Sequence, residues 1–171
     1  AAAEMVIASY REAFFNDKDI AIASARAGNV IGGGDWSEDR LIPDAIRAWG
    51  INQSLHVRNP QAVRPWQHVL EPLGGYLKLA ERLWQEIACS GAYNFGPLTH
   101  EAALVQDVIT KAKASYGSGE VLWEGDLEGP HEDTWLALEV SKSREVLGVH
   151  PRWSLEEAIN RTMEWYRQQQ R

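Results

Sequence analysis

A loop over residues 26–32 combines polar and small side chains directly after an apolar run of the chain. Asn29 offers a hydrogen-bond donor and an acceptor from one side-chain amide. Gly28 and Gly32 lack a Cβ atom, so the backbone at these two positions can approach a ligand closely. The loop is therefore a candidate ligand-binding segment.

A second candidate segment, residues 58–66, holds Arg58 and Arg64 around a turn that contains a proline, with Trp66 beside them. Arginine guanidinium groups form paired, charge-assisted hydrogen bonds to phosphate. Such a segment could hold a diphosphate and pack an aromatic ring against a base or a ribose. Taken on chemistry alone, a purely structural turn explains the same residues equally well.

The usual signatures of a self-contained active site are missing from the sequence. The run Gly32-Gly33-Gly34 does not have the spacing of a dinucleotide-binding turn, and no helix opens directly after it. No nucleophile elbow is present, and the histidines lack the spacing of metal ligands. We therefore assign no catalytic residue and no metal site to this chain.

Composition narrows the class of ligand. The chain has 171 residues, 44% of them hydrophobic, and a formal net charge of −7. These values predict a globular domain and disfavour non-specific binding to nucleic acid. No apolar run approaches the roughly 20 residues that cross a bilayer, and the single cysteine, Cys89, weakly favours a reducing compartment. We expect a cytoplasmic protein with no membrane contact.

Strands and helices alternate along the sequence, which predicts an α/β fold with ligand loops at strand ends. Residues 20–25 form an apolar run typical of a parallel strand buried on both faces. Ser154 and Glu157 form a capping-box pattern before the last helix. The other predicted strands are 55–57, 92–95 and 120–123, and the other helices are 1–15, 43–51, 70–87, 101–115 and 141–147.

Several of these segments, in the same order, resemble extended short-chain dehydrogenases that act on nucleotide sugars. Residues 26–36 are similar to their Arg-x-x-Asn-x-x-Gly stretch, residues 63–69 to their Val-Arg-Asp-Trp-x-x-Val segment, and residues 93–96 to their Tyr-Asn-Ile-Gly strand end. The Gly-Gly-Gly-Asp-Trp, Arg-Pro-Trp-Gln-His-Val-Leu-Glu-Pro and His-Pro-Arg-Trp runs resemble the CDP-glucose 4,6-dehydratase branch in particular. The resemblance covers nearly the whole chain.

The resemblance implies the C-terminal part of a Rossmann-type extended short-chain dehydrogenase with its small substrate-binding domain. Residues 1–171 would form a single unit, in which the end of the Rossmann sheet is interleaved with the nucleotide-sugar-binding domain. In such enzymes, NAD on the N-terminal half oxidises the sugar at C4, water is lost across C5 and C6, and the hydride returns to C6.

The pattern that begins this chemistry, Tyr-x-x-x-Lys, is absent from the sequence. The resemblance places it, together with the NAD-binding turn, upstream of the first residue. We therefore expect this chain to be inactive alone. Relatives pair through a helix bundle that includes the helix resembling residues 1–15, so a homodimer is expected of the full-length parent.

Only residues on the substrate side can be carried over from the resemblance. Asn29 matches a residue near the sugar diphosphate, and Arg64 matches an arginine that binds phosphate. Arg58 is the candidate for a second contact near the nucleotide. The remaining matches are to the lining of the nucleotide pocket and to a late loop that closes over the nucleotide: Leu41, Pro43, His131 and Glu132.

Two alternatives remain open. The chain could be part of another NAD-dependent nucleotide-sugar enzyme, such as an epimerase for a UDP-sugar, because the matches at Asn29 and Arg64 are shared between the two. It could instead be a non-catalytic binding module, which the missing Tyr-x-x-x-Lys favours for this chain taken by itself.

Overall fold

The computed structural model describes residues 2–15, 17–124 and 134–169. The helices are α1 (Ala2–Tyr10, continued by a π-helical turn, Arg11–Phe15), α2 (Leu41–Gly50), α3 (Leu70–Gln85), α4 (Val105–Tyr116), α5 (Ser141–Leu147) and α6 (Leu155–Gln169). The strands are β1 (Ala23–Ala27), β2 (Asn29–Ile31), β3 (Ser54–Val57), β4 (Val63–Arg64), β5 (Trp66–His68), β6 (Gly91–Phe95), β7 (Ala103–Leu104) and β8 (Glu120–Trp123).

The strands associate in four pairs. Three pairs are parallel, β1 with β6, β2 with β5 and β3 with β8, while β4 and β7 are antiparallel. The β2–β5 pair sets Asn29 opposite Trp66, and this pairing brings the two candidate ligand segments side by side. Parallel pairing needs long crossover connections, and the one from β2 to β5 contains α2.

The larger hydrophobic core lies among α2, α4, α6, β3 and β5, where sixteen buried residues form one cluster. On α2 the buried side chains recur at helical spacing, which is the pattern of an amphipathic helix. They are Ile42, Pro43, Ala45, Ile46 and Trp49. The indole Nε1 of Trp49 donates a hydrogen bond to the Glu120 carbonyl at 3.0 Å, which ties α2 to β8.

The smaller core lies around the β1–β6 pair and contains four buried residues, Leu79, Tyr93, Phe95 and Leu147. Helix α3 approaches β6 through Gly75, where an added Cβ would overlap the Phe95 ring. Helix α1 contacts β1 through polar groups, since the Glu4 carboxylate accepts a hydrogen bond from Ser24 Oγ at 2.8 Å and pairs with Arg26 at 3.1 Å.

Several of the predicted helices and strands agree with the structure, while others are shifted or were not predicted. The helices at 43–51 and 141–147 and the strands at 55–57, 92–95 and 120–123 are found within a few residues of the predicted positions. The first strand is shifted to Ala23–Ala27, and its predicted burial on both faces is wrong, because all five of its residues are half-buried or exposed. The short strands β2, β4, β5 and β7 were not predicted.

At the start of α6, one of the two hydrogen bonds of the predicted capping box is formed. The Glu157 amide donates to Ser154 Oγ at 3.2 Å, but the Glu157 carboxylate pairs with Arg161 at 2.7 Å rather than turning back to the cap. None of the described helices is long and apolar enough to cross a membrane. The organisation of residues 1–171 as a single unit stays a prediction.

Candidate functional site

A cavity of about 610 Å³ opens between β2, the first turn of α2, the end of β3 and β4. It is lined by every described residue that the sequence analysis carried over to the substrate side: Asn29, Leu41, Pro43, Arg58 and Arg64. These positions lie in β2, in the first turn of α2, directly after β3 and in β4, up to 35 residues apart in the chain (64 minus 29). The fold therefore brings together residues that are distant in the sequence.

Asn29 lies at the start of β2, and its backbone is anchored. The Asn29 amide nitrogen donates to the Pro65 carbonyl at 2.9 Å, which fixes the strand against β5. Its side-chain amide is half-buried and makes no hydrogen bond within the part of the chain that the structure describes. The amide is therefore available to both a donor and an acceptor on a ligand.

The N-terminal end of α2 borders the cavity, with Leu41 and Pro43 in its first turn. Proline is tolerated in a first turn because its missing N–H has no acceptor within the helix. Arg40 precedes the helix in an extended conformation and gives no side-chain cap to it. The partial positive charge of a helix N-terminus favours an anionic group at this wall.

Arg58 and Arg64 add two cations to the cavity lining. Arg58 follows β3 and is exposed, whereas Arg64 is half-buried in β4 and donates from Nη1 to the Val63 carbonyl at 2.9 Å. The alternative to phosphate binding is a structural role for Arg64, in which its side chain binds an open carbonyl, as it does at Val63, or a carboxylate such as Glu71. That carboxylate instead accepts the backbone amides of Arg152 and Trp153, each at 3.0 Å.

Four carboxylates also line the cavity, and three of them already accept a hydrogen bond from another residue of the chain. Asp44 pairs with Arg47, Glu124 pairs with His56 Nδ1 at 2.7 Å, and Asp35 Oδ1 accepts the Ser37 amide at 3.0 Å. The fourth carboxylate is Asp39. The guanidinium groups of Arg40, Arg58 and Arg64 form the cationic part of the same lining.

Gly28 and Gly32 of the first segment allow neighbouring segments of the chain to pack closely against the backbone. An added Cβ at Gly28 would overlap the Pro65 carbonyl, and one at Gly32 would overlap the Val69 side chain. Arg26 is turned away from the cavity toward Glu4. The close approach that the structure shows at Gly28 and Gly32 is between chain segments. Close approach of a ligand at these two positions stays a prediction.

Trp66 and His68 belong to the packed interior. Trp66 is buried and donates from Nε1 to the Ala103 carbonyl at 3.2 Å, so its ring is held by the core although it borders the cavity. His68 Nδ1 accepts the Leu70 amide at 3.2 Å, and its ring meets Trp153 edge-on at 4.7 Å. Burial lowers the pKa of His68, which favours the neutral imidazole.

Two of the carried-over residues, His131 and Glu132, lie outside the described residues. Arg40 was missed by the sequence analysis, although it lines the cavity immediately before Leu41. Its position just ahead of the Leu-Ile-Pro helix start is a signal that could have placed it at the binding face.

The described residues do not fit the pyrophosphate of NAD. A dinucleotide turn needs glycines that open a helix over the phosphates. The run Gly32-Gly33-Gly34 precedes α2 by seven residues (41 minus 34), and at Gly33 an added Cβ would overlap the Trp165 indole. This turn is filled by α6, so no cofactor step is assigned to it.

Comparison with solved structures defines the class of fold. The chain superimposes on UDP-glucuronic acid 4-epimerase from Bacillus cereus, in complex with UDP-glucuronic acid and NAD, with a TM-score of 0.80 and 18% identity, covering 98% of this chain and 51% of that one. For dTDP-glucose 4,6-dehydratase from Bacillus anthracis, in complex with NAD, the TM-score is 0.75 at 17% identity, covering 98% and 50%. The fold is that of the C-terminal part of a Rossmann-type extended short-chain dehydrogenase.

Sequence similarity narrows this class. The chain is 45% identical over 172 aligned positions to CDP-glucose 4,6-dehydratase of Salmonella typhimurium, covering 96% of this chain and 48% of that protein. No protein-family model matches the chain. The resemblance to the CDP-glucose 4,6-dehydratase branch is thus confirmed, and the chain spans about half the length of the curated relative that it matches.

Proposed function

We propose that this chain is the nucleotide-sugar-binding part of an NAD-dependent CDP-glucose 4,6-dehydratase. The observation that carries the proposal is the assembly of Asn29, Leu41, Pro43, Arg58 and Arg64 around one cavity of about 610 Å³. The 45% identity to a CDP-glucose 4,6-dehydratase supports the cytidine nucleotide over others.

In this proposal the diphosphate of the CDP-sugar lies between Arg64 and the N-terminal end of α2. A guanidinium can make two parallel hydrogen bonds to phosphate oxygens, and the α2 backbone adds unpaired N–H groups of its first turn. Asn29 orients the sugar end of the diphosphate through its free amide. Arg58 stabilises the nucleotide end, and Leu41 and Pro43 supply apolar contact to the base or ribose.

The proposal assigns binding and orientation to this chain and redox chemistry elsewhere. NAD would be held mainly by the part of the relatives' length that this chain does not cover, and with it the Tyr-x-x-x-Lys pair. Alone, the chain should bind CDP-glucose without forming the 4-keto-6-deoxy product. We place the full-length parent in the cytoplasm as a homodimer.

Calorimetric titration of the purified chain with CDP-glucose, UDP-glucose and dTDP-glucose tests this function. We expect saturable binding with CDP-glucose the tightest of the three ligands, and no product when NAD is added. Preference for a UDP-sugar would favour the epimerase alternative. Turnover with NAD and CDP-glucose would contradict the assignment of redox chemistry to a part of the relatives that this chain does not cover. Absence of binding to all three ligands would overturn the proposal.

A matched pair of variants localises the binding. Asn29→Asp introduces a carboxylate beside the proposed diphosphate, and juxtaposed like charges should weaken CDP-glucose binding by about tenfold or more. Asn52→Asp makes the same chemical change at an exposed position after α2 that does not line the cavity. Equal affinities for the two variants would mean that the ligand binds away from Asn29.

A further inference from the structure

The C-terminal helix α6 holds a loop that forms one wall of the cavity. This loop, residues 32–36, follows β2, and its residues Gly32 and Asp35 line the cavity. The Tyr166 hydroxyl of α6 donates to the Asp35 carbonyl at 2.6 Å and lies 3.4 Å from the Gly32 carbonyl. Tyr166 itself does not line the cavity.

Packing reinforces this hydrogen bond at two further points of the loop. The ring of Trp36 meets the Tyr166 ring edge-on, with 5.3 Å between centroids. The Gly33 backbone lies against the Trp165 indole so closely that a side chain at Gly33 would overlap it. Consequently the path of the 32–36 loop is set by α6, more than 120 residues further along the chain (166 minus 36 is 130).

We propose that Tyr166 is a positioning residue for ligand binding: its hydroxyl fixes the 32–36 loop so that Gly32 and Asp35 form the cavity wall beside Asn29. The inference rests on the proposed function for its ligand, but its structural step can be tested without one. The inference gives α6 a role in ligand recognition, although no residue of α6 lines the cavity.

The hydroxyl is suited to this role because it stays protonated. Burial raises the pKa of Tyr166, and the nearby negative charge of Asp35 raises it further. The group therefore remains a hydrogen-bond donor throughout the range in which the protein would be studied. A donor–acceptor separation of 2.6 Å also lies at the short end for an O–H···O hydrogen bond.

The test compares Tyr166→Phe with Tyr93→Phe. Both wild-type rings are almost fully buried, and both hydroxyls donate to a backbone carbonyl, since Tyr93 donates to Cys89 at 2.7 Å. Tyr93 lies in β6 and does not line the cavity. The two variants therefore delete the same kind of bond, one at the 32–36 loop and one elsewhere.

The first measurement is amide hydrogen exchange in the ligand-free chain. Losing one hydrogen bond should speed exchange over residues 32–36 by roughly fivefold in Tyr166→Phe, while Tyr93→Phe should leave this segment at the wild-type rate. Unchanged exchange over residues 32–36 in Tyr166→Phe would overturn the inference, whatever the ligand data show.

The second measurement is CDP-glucose affinity, taken well below the melting temperature of each variant. We expect a weakening of roughly fivefold for Tyr166→Phe and none for Tyr93→Phe, although both lower the melting temperature. If the wild-type chain binds and the two variants bind equally well, Tyr166 is only structural. If the wild-type chain does not bind, the proposed function fails, and the exchange data still decide whether Tyr166 positions the loop.

A compensating pair gives an independent check. Gly33→Ala should displace the loop from Trp165 and weaken CDP-glucose binding. Adding Trp165→Gly removes the indole and also the Trp165 Cβ atom, which would lie 2.7 Å from the new Cβ. This change should restore part of that affinity, because Trp165 is partly exposed and is not itself in the cavity. A double variant that binds no better than Gly33→Ala would contradict the packing part of the inference.

Discussion

The region around α2, α4 and α6 and the region around β1, β6 and α3 differ in how far they are packed. In the first, sixteen described residues form one buried cluster, and in the second only four do. Helix α3 has its apolar residues at helical spacing, yet Leu77 is 74% exposed and Trp84 is 93% exposed. The helix packs against β6 instead through its face with small residues, including Gly75.

This difference indicates which function each region can perform within the chain. All five of the described candidate binding residues line a cavity formed by elements of the well-packed region and the strands beside it. The other region presents apolar side chains that no described residue covers. The binding cavity can therefore be shaped within this chain, whereas the β1–β6 region retains surfaces suited to further protein contacts.

The largest expected effect separates the two regions by one kind of substitution. Leu55→Ala removes a side chain that is 5% exposed in the large cluster, and such truncations cost about 2–5 kcal/mol. Leu77→Ala, on the exposed face of α3, should change the free energy of unfolding by no more than about 0.5 kcal/mol. Denaturant unfolding measures both, and comparable losses would contradict the assignment of the two regions.

Next in size is the effect of Arg64→Ala on CDP-glucose binding. Losing a charged hydrogen bond costs about 1.5–3 kcal/mol, or roughly ten- to a hundredfold in affinity. Lys at the same position should restore the affinity only partly, because it keeps the positive charge but cannot form the two parallel hydrogen bonds of a guanidinium group. The control is Arg26→Ala, which removes an arginine that pairs with Glu4 outside the cavity. Unchanged affinity with a lowered melting temperature would make Arg64 structural.

The exposed face of α3 predicts self-association of the isolated chain. Burying a large apolar side chain contributes about 1.5–3 kcal/mol, so Trp84→Ser should weaken association by about tenfold. Trp123→Ser makes the same change on β8, where the tryptophan is also exposed. Sedimentation at several concentrations compares the two. A wild-type chain that stays monomeric at high concentration and binds no hydrophobic dye would refute the prediction.

The smallest expected effect is a pH dependence that arises from His68. Because burial lowers its pKa in the folded chain, the unfolded chain binds more protons as the pH falls through the usual value of about 6.5. Stability should therefore be lower at pH 5.5 than at pH 7.5. Replacing this histidine, His68→Gln, should reduce the difference in melting temperature, and His100→Gln at an exposed position should not. Identical differences for both variants would rule His68 out as the source.

Local sequence signals were sufficient for the elements that are amphipathic or have a clear terminus. The spacing of apolar residues located α2, and the predicted helix 141–147 ends as expected, because Gly148 follows it in a left-handed conformation with φ 64°. The order of the motifs indicated the fold class and the residues to examine. Periodicity on α3 was also correct, but it did not reveal that this face is exposed.

What the sequence could not predict depends on contacts between distant segments. Strands β2, β4, β5 and β7 have two or three residues each, which is too short for a periodic pattern, and they exist because of their pairing. The register that sets Asn29 opposite Trp66 brings the two polar segments together. The contact of Tyr166 with the Asp35 carbonyl joins residues 131 positions apart, and no local pattern signals it.

The central claim is that the cavity between β2, α2 and β4 binds the CDP-sugar within this chain. It is tested most directly by recording backbone amide chemical shifts during a titration of the labelled chain with CDP-glucose. We predict saturable shifts concentrated at residues 29–32, 40–42, 44, 58 and 64, with the amides of α5 unaffected. Shifts that are absent, that do not saturate, or that cluster on the β1–β6 region would contradict the account.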